Sequence, residues 1–136
     1  MELLMNFKEA NNLITVAIID DDVFYSKIIA MQLKRAGIAI VLAADNGLLG
    51  IAGLKAMLNH PQIVIVDIEM PVMSGFEVIR YLKQAWPYLQ IIAHSSLTNN
   101  DVHKQIIKDG ADIFVLKQPN ATKLIDTIKQ LSNKVN

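Results

Sequence analysis

Ile63-Val64-Ile65-Val66-Asp67-Ile68-Glu69-Met70-Pro71 is the stretch on which the fold turns. Four successive β-branched residues with no polar alternation describe a strand buried on both faces, as in a parallel sheet covered by helices. The strand then meets a carboxylate, which is costly there unless it has a partner or a task. Working outward, three more apolar runs also end in polar groups. Val16-Ala17-Ile18-Ile19 leads to Asp20-Asp21-Asp22, Ile91-Ile92-Ala93-His94 to Ser95, and Ile113-Phe114-Val115-Leu116 to Lys117. If the strands are parallel, these ends share one sheet edge and build one polar site.

Longer amphipathic segments separate the runs. The pattern predicts strands over 16–19, 38–44, 63–66, 91–94 and 113–116, and helices over 23–36, 46–58, 75–86, 101–109 and 121–131. Gly37 and Gly110 are stop signals, Ser74 is a cap, and Pro87 lies beyond the third helix. Five strand–helix repeats specify an α/β fold: a (βα)5 doubly wound, flavodoxin-like parallel sheet in the order 2-1-3-4-5. Its crevice falls at the carboxyl ends of strands 1 and 3, where Asp20, Asp21 and Asp67 stand. The expected organisation is an N-terminal extension over 1–14, one domain over 15–133 and a tail over 134–136. The second helix carries Gly47, Gly50 and Gly53 among Leu48, Leu49, Ile51 and Leu54. Each interior glycine costs roughly 1 kcal/mol relative to alanine. Either the helix packs closely on the sheet, or its smooth apolar face docks a partner or a second copy.

The 136 residues suffice for one domain with a sizeable core, and 52% hydrophobic against 6% aromatic makes that core aliphatic. Thirteen basic residues balance thirteen acidic ones, so there is no basic footprint for nucleic acid. The absence of cysteine excludes disulfides, a thiolate nucleophile and Cys-based zinc sites. The start Met1-Glu2-Leu3-Leu4-Met5-Asn6 is unlike a secretory signal, and no apolar run is long enough to span a membrane. A cytoplasmic, membrane-free protein is expected.

Three carboxylates brought within about 5 Å repel by roughly 3 kcal/mol per pair at an effective dielectric of 20. A divalent cation removes that cost, and oxygen-only donors favour hard Mg²⁺ or Mn²⁺. The expected shell is Asp21, Asp67 and a backbone carbonyl just past Asp67, with Asp20 acting through water. Lys117 adds positive charge and Ser95 a hydroxyl donor, a set suited to the equatorial oxygens of a phosphoryl group in transfer. Asp67 is then the nucleophile that forms an acyl phosphate, and Ser95 moves toward it as a switch. Asp22 is read as the cap of the first helix. His60, His94 and His103 share no metal-ligand spacing and are read as structural or surface residues, with His94 a source of modest pH sensitivity.

Ile18-Ile19-Asp20-Asp21-Asp22, the segment from Asp67 to Glu77, Ser95-Ser96, Gly110-Ala111 and Lys117 together resemble the receiver domain of two-component response regulators. The resemblance implies phosphorylation of Asp67 by a histidine kinase or phosphotransfer protein. It also implies Mg²⁺ held by Asp21, Asp67 and the Glu69 carbonyl, and a phosphoryl group contacted by Ser95 and Lys117. Phe114 stands where the family often has an aromatic that turns inward on activation. Glu69 and Leu97 flank the path of an attacking water. Leu97 is expected to obstruct it, whereas a carboxylate at 69 either orients the water or repels hydroxide. The domain is expected to switch an output surface or an attached output domain.

Two departures matter. Gln118 separates Lys117 from Pro119, where the family usually has proline directly after the lysine. The isomer of the Gln118–Pro119 bond is left open. Together with Ile92-Ala93-His94-Ser95, this is closest to receivers attached to LuxR-type helix-turn-helix domains, so a transcriptional output or a docking protein is the expected reader. The glycine-laced helix is the second departure. A phosphatase using an aspartyl phosphate would need an Asp where Glu69 stands, and a cap. An FMN binder would need a neutral phosphate loop where three aspartates stand.

Overall fold

The computed structural model describes residues 13–135. Most of the expected N-terminal extension, residues 1–12, and Asn136 of the tail lie outside the described residues. The elements alternate without exception. They are β1 (Thr15–Ile19), α1 (Val23–Arg35), β2 (Ala39–Ala44), α2 (Gly47–Ala56), β3 (Ile63–Asp67), α3 (Gly75–Ala85), β4 (Gln90–Ser95), α4 (Asn100–Asp109), β5 (Ile113–Leu116) and α5 (Thr122–Val135). The sheet is parallel throughout, in the order β2-β1-β3-β4-β5. This is the expected doubly wound topology.

Alternating side chains along each strand feed two cores. Ala17, Ile19, Val64, Val66, Ile91 and Ala93 pack with residues of α2, α3 and α4, such as Leu54, Val78, Leu82 and Ile106. Val16, Ile18, Ile63, Ile65, Ile92 and Val115 pack on the other face with Ile29 and Leu33 of α1 and Leu124 and Ile128 of α5. Every residue of β3 is buried, as its unbroken apolar run requires.

Strand 2 departs from the expectation of strands apolar and covered on both faces. It is one of the two sheet edges, β5 being the other and likewise mostly half-buried, and its pairing skips Val41 between Val16↔Ile40 and Ala17↔Leu42. That irregularity leaves Val41 exposed and blunts the edge against further pairing. Helix α2 ends at Ala56, two residues before the predicted end, and Leu58 is solvent-exposed. His60 Nε2 donates to the Leu54 carbonyl at 2.8 Å, which also accepts the Met57 N–H at 3.2 Å, so both bonds close the last turn on one acceptor. Its ring also meets Trp86 and the Tyr88 hydroxyl. Helix α5 runs to Val135, beyond the predicted 131. The Ala121 N–H at its start donates to Gln32 Oε1 of α1 at 2.7 Å. That contact joins residues 89 positions apart, which local pattern cannot show.

The glycines of α2 resolve into close packing. A Cβ at Gly50 would lie 2.5 Å from Ile19 Cδ1, and one at Gly53 would lie 2.8 Å from Leu42 Cδ1. The helix therefore rests directly on β1 and β2.

Val72 is a β-branched residue with φ of 69°. The Met73 N–H donates to the Pro71 carbonyl at 2.7 Å, so Val72 is the middle of a tight three-residue turn of the strained kind. It is exposed, so packing does not offset the strain. Such conformations cost on the order of 1–3 kcal/mol, part of which glycine returns through its freer unfolded chain. Val72→Gly is expected to raise stability by about 1 kcal/mol, read as a thermal midpoint a few degrees higher. An unchanged or lower midpoint would contradict the strain.

Candidate functional site

The four strand ends meet as the sheet order demands. Carboxylate oxygens of Asp20, Asp21 and Asp67 all lie within 4.8 Å of one another. Asp20 and Asp67 are buried, while Asp21 is exposed at the mouth. Asp20 Oδ1 accepts the Asp22 N–H at 2.9 Å, which turns the chain from β1 into α1. Asp22 caps that helix by accepting the Tyr25 N–H at 3.0 Å, as expected.

Lys117 enters from the end of β5. Its ammonium sits 3.0 Å from Asp20 Oδ2 and 3.4 Å from Asp67 Oδ1. Asp20 thus has a direct ionic partner besides its place in the acidic cluster. Lys117 Nζ also lies 5.1 Å from the centre of the Tyr25 ring. The Tyr25 hydroxyl donates to the Gln118 carbonyl at 2.8 Å and accepts the Gln118 N–H at 3.2 Å. Tyr25 clamps the backbone just after the lysine, a role the sequence did not signal because the partners are 93 residues apart. The Gln118–Pro119 bond is trans, since the described residues contain no cis peptide.

The charges explain the protonation states. Burial raises the Asp67 pKa first, the neighbouring Asp20 charge and a hydrogen bond with Asp21 raise it further, and Lys117 only partly opposes them, leaving it at about 7. Burial alone would depress Lys117, but its bonds and ion pairs with Asp20 and Asp67 prevail and hold it above its ordinary value. His94, the register partner of Asp67, is pushed down to about 4 by burial and then by Lys117. It stays neutral near pH 7, which removes the modest pH sensitivity expected of it there.

Ser95 is buried one residue past His94. Its backbone carbonyl accepts the Lys117 N–H at 2.8 Å, so β4 and β5 bring these two residues side by side. Its hydroxyl oxygen accepts the Leu97 N–H at 3.1 Å. Leu97 and Phe114 are half-buried against the α3–α4 core. The Glu69 side chain is exposed and does not join the three-carboxylate cluster.

Gly75 sets the floor of the site. Its N–H donates to the Ile68 carbonyl at 2.9 Å, and a Cβ there would lie 2.2 Å from the Asp67 carbonyl oxygen. Ser74 and Glu77 complete a reciprocal cap at the start of α3. The helix can thus begin directly beneath the Asp67–Ile68 peptide.

The donor set suits a hard divalent cation. It offers oxygens alone and three carboxylates at short range, and the pKa of one of them, Asp67, is raised by burial and then by the Asp20 charge, a penalty on its ionised form that such a cation would relieve.

The family model for the response regulator receiver domain matches residues 16–129. The chain belongs to the response regulator receiver domains. It is 28% identical to the chemotaxis protein CheY of Bacillus subtilis, over 87% of this chain and 97% of that protein. It is 32% identical to a protein-glutamate methylesterase/protein-glutamine glutaminase of Desulfotalea psychrophila, over 85% of this chain but 34% of that protein. The chain therefore spans about a third of the length of the methylesterase relatives that it matches. A LuxR-family DNA-binding response regulator from Staphylococcus aureus superposes with a TM-score of 0.81 at 25% identity, over 89% of this receiver and all of that chain. As a receiver it is part of two-component signalling. Among the described residues no helix is long and apolar enough to cross a membrane.

Proposed function

We propose that Asp67 accepts a phosphoryl group from a histidine kinase or phosphotransfer protein, and that the acyl phosphate switches an output surface. The observation that carries this reading is the convergence of Asp20, Asp21 and Asp67 within 4.8 Å, with the Lys117 ammonium bridging Asp20 and Asp67. An Asp67 oxygen attacks phosphorus, the O–P bond forms, the N–P bond to the donor imidazole breaks, and that imidazole leaves with its proton. Lys117 meets the negative charge on the phosphoryl oxygens, and the Ser95 O–H donates to one of them. Asp21, Asp67 and the Glu69 carbonyl would hold Mg²⁺ or Mn²⁺, with Asp20 alongside. The ion supplies positive charge that draws the phosphoryl oxygens together with the acids. The domain acts as a phosphoacceptor whose only chemistry is gain and loss of its own phosphoryl group.

Phe24, Ile28 and Met31 are exposed at i, i+4 and i+7 along α1, a stripe suited to a helical partner. It begins two residues after the acidic cap, so it supports α1 as the seat of the phosphodonor protein. The output is read by a docking protein, by an attached domain such as a helix-turn-helix, or through a second copy. Relatives of this chain include both single receivers and proteins of about three times its length. A cytoplasmic location goes with this role.

Incubation with acetyl phosphate and Mg²⁺ tests the reading. The intact mass is expected to rise by one phosphoryl group, and EDTA is expected to prevent the rise. No gain would overturn the assignment.

Two further outcomes follow from the same site. A raised carboxyl pKa means that stability is full below the unfolded value near 4 and is lost as pH rises through about 7. A cation that binds ionised Asp67 restores it. Mg²⁺ at tenfold its Kd is expected to stabilise by about 1.4 kcal/mol at pH 8 and by clearly less at pH 5. Equal thermal shifts at both pH values would refute the role of Asp67 in cation binding. Second, Leu97→Ala opens the approach to the acyl phosphate and is expected to speed dephosphorylation severalfold. An unchanged decay, followed on Phos-tag gels, would remove Leu97 as a barrier.

A further inference from the structure

His103 lies in the first turn of α4 and belongs to none of the roles above. Its Nε2 donates to the Leu97 carbonyl at 3.1 Å. Its ring lies against Phe114, with centroids 3.9 Å apart and planes tilted by 35°. The Leu97 N–H, on the other side of the same residue, donates to Ser95 Oγ. One unbroken path therefore runs from the Ser95 hydroxyl through both polar groups of Leu97 to the His103 ring and onto Phe114. The loop over 96–99 is otherwise tied to α4 by Asn99, whose side chain caps Asp101 and Val102 and whose carbonyl accepts the His103 N–H. Those bonds fix the end of the loop nearest the helix. At Leu97 the side-chain bond from His103 is what holds the carbonyl.

We infer that His103 is a positioning residue that latches the loop over 96–99 in its resting place and couples it to Phe114. While the latch is closed, Leu97 keeps its N–H on Ser95 Oγ, and Phe114 is covered by the imidazole. Ser95 can move toward a phosphorylated Asp67 only by dragging or releasing Leu97. Movement of the Leu97 carbonyl breaks the bond to Nε2, frees the imidazole and uncovers Phe114. Movement at the phosphoryl end thereby becomes a change in the α4–β5 surface. The switching step rests on the Asp67 reading; the latch itself does not.

Amide hydrogen exchange of the unphosphorylated protein tests the latch without any phosphoryl transfer. His103→Ala removes donor and ring, His103→Phe keeps a ring against Phe114 but no donor, and His103→Gln keeps an N–H donor. Loss of a hydrogen bond of ordinary net strength corresponds to about fivefold in an opening equilibrium. The Leu97 amide is expected to exchange about fivefold faster in His103→Ala and His103→Phe, and close to the wild-type rate in His103→Gln. The Ile65 amide in β3 should keep its protection in every variant. Should His103→Ala fail to fold, the contrast between Phe and Gln decides. Wild-type exchange at Leu97 in His103→Phe would overturn the latch, as would Gln failing to restore it. In parallel, acetyl phosphate should label His103→Phe faster than the wild type, because Ser95 is freed, and equal rates would overturn the coupling to the site. A wild-type protein that takes no phosphoryl group would sink the Asp67 assignment, while the exchange result would still judge the latch.

Discussion

Asp67→Asn is expected to take no phosphoryl group from acetyl phosphate under conditions in which the wild type gains one. The amide keeps the size and shape of the side chain but is a far weaker nucleophile. It also withdraws one of the three carboxylates from the cation site. The same substitution should stabilise the cation-free protein. Ionised Asp67 is opposed by burial and by Asp20 more than Lys117 helps it, so its neutral replacement removes a penalty present above about pH 7. In EDTA at pH 8 the variant is expected to be more stable than the wild type by on the order of 1–2 kcal/mol, after discounting for solvent screening. Below about pH 4 the two should converge, because Asp67 is then protonated in the folded and the unfolded chain alike. The pairing of lost labelling with raised stability separates a lost nucleophile from a damaged fold. A mass gain that survives Asp67→Asn would place the acceptor elsewhere, and a variant less stable than the wild type at pH 8 would refute the electrostatic account.

Gly75→Ala is expected to be the most damaging single methyl group in the domain. The new Cβ would lie 2.2 Å from the Asp67 carbonyl oxygen and 2.5 Å from the Ile68 Cα. Those are backbone atoms of a buried strand end, so no side chain can swing aside. Overpacking of this kind costs roughly 1–3 kcal/mol, and a backbone neighbour puts this case at the upper end. Better helix propensity at the first residue of α3 returns only a fraction of that. The strand end must shift, carrying the Asp67 carboxylate away from Asp20, Asp21 and Lys117. The expected result is a fall of about 3 kcal/mol in urea unfolding with slower labelling by acetyl phosphate. Gly53→Ala is the informative contrast. It meets only Leu42 side-chain atoms on the edge strand β2, which does not pair with β3, and should lower stability without slowing labelling per folded molecule. Wild-type stability and labelling in Gly75→Ala would show that α3 does not set the position of Asp67.

Most of the fold was legible because its signals are local. The apolar run ending at Asp67, the glycines at 37 and 110, and the caps at Asp22 and Ser74 each act within a few residues. Strand order followed from handedness and from covering both sheet faces. The boundaries that moved did so through tertiary contacts. His60 reaches back to the Leu54 carbonyl and closes α2 at Ala56, and Gln32 of α1 satisfies the start of α5. The exposure of Val41 follows from an irregular pairing at the sheet edge, which composition cannot show.

The chain's own order of residues determined that four apolar strands deliver acids, a hydroxyl and an amine to one edge, because parallel strands must end on the same side. It could not determine how the charges share that edge. Only the folded molecule puts Lys117 between Asp20 and Asp67, presses Tyr25 onto the turn at Gln118, lowers His94 and lays His103 between Leu97 and Phe114. The physical reason is range. Propensity and periodicity act between neighbours in sequence, whereas burial, Coulomb interaction and ring contact act between neighbours in space.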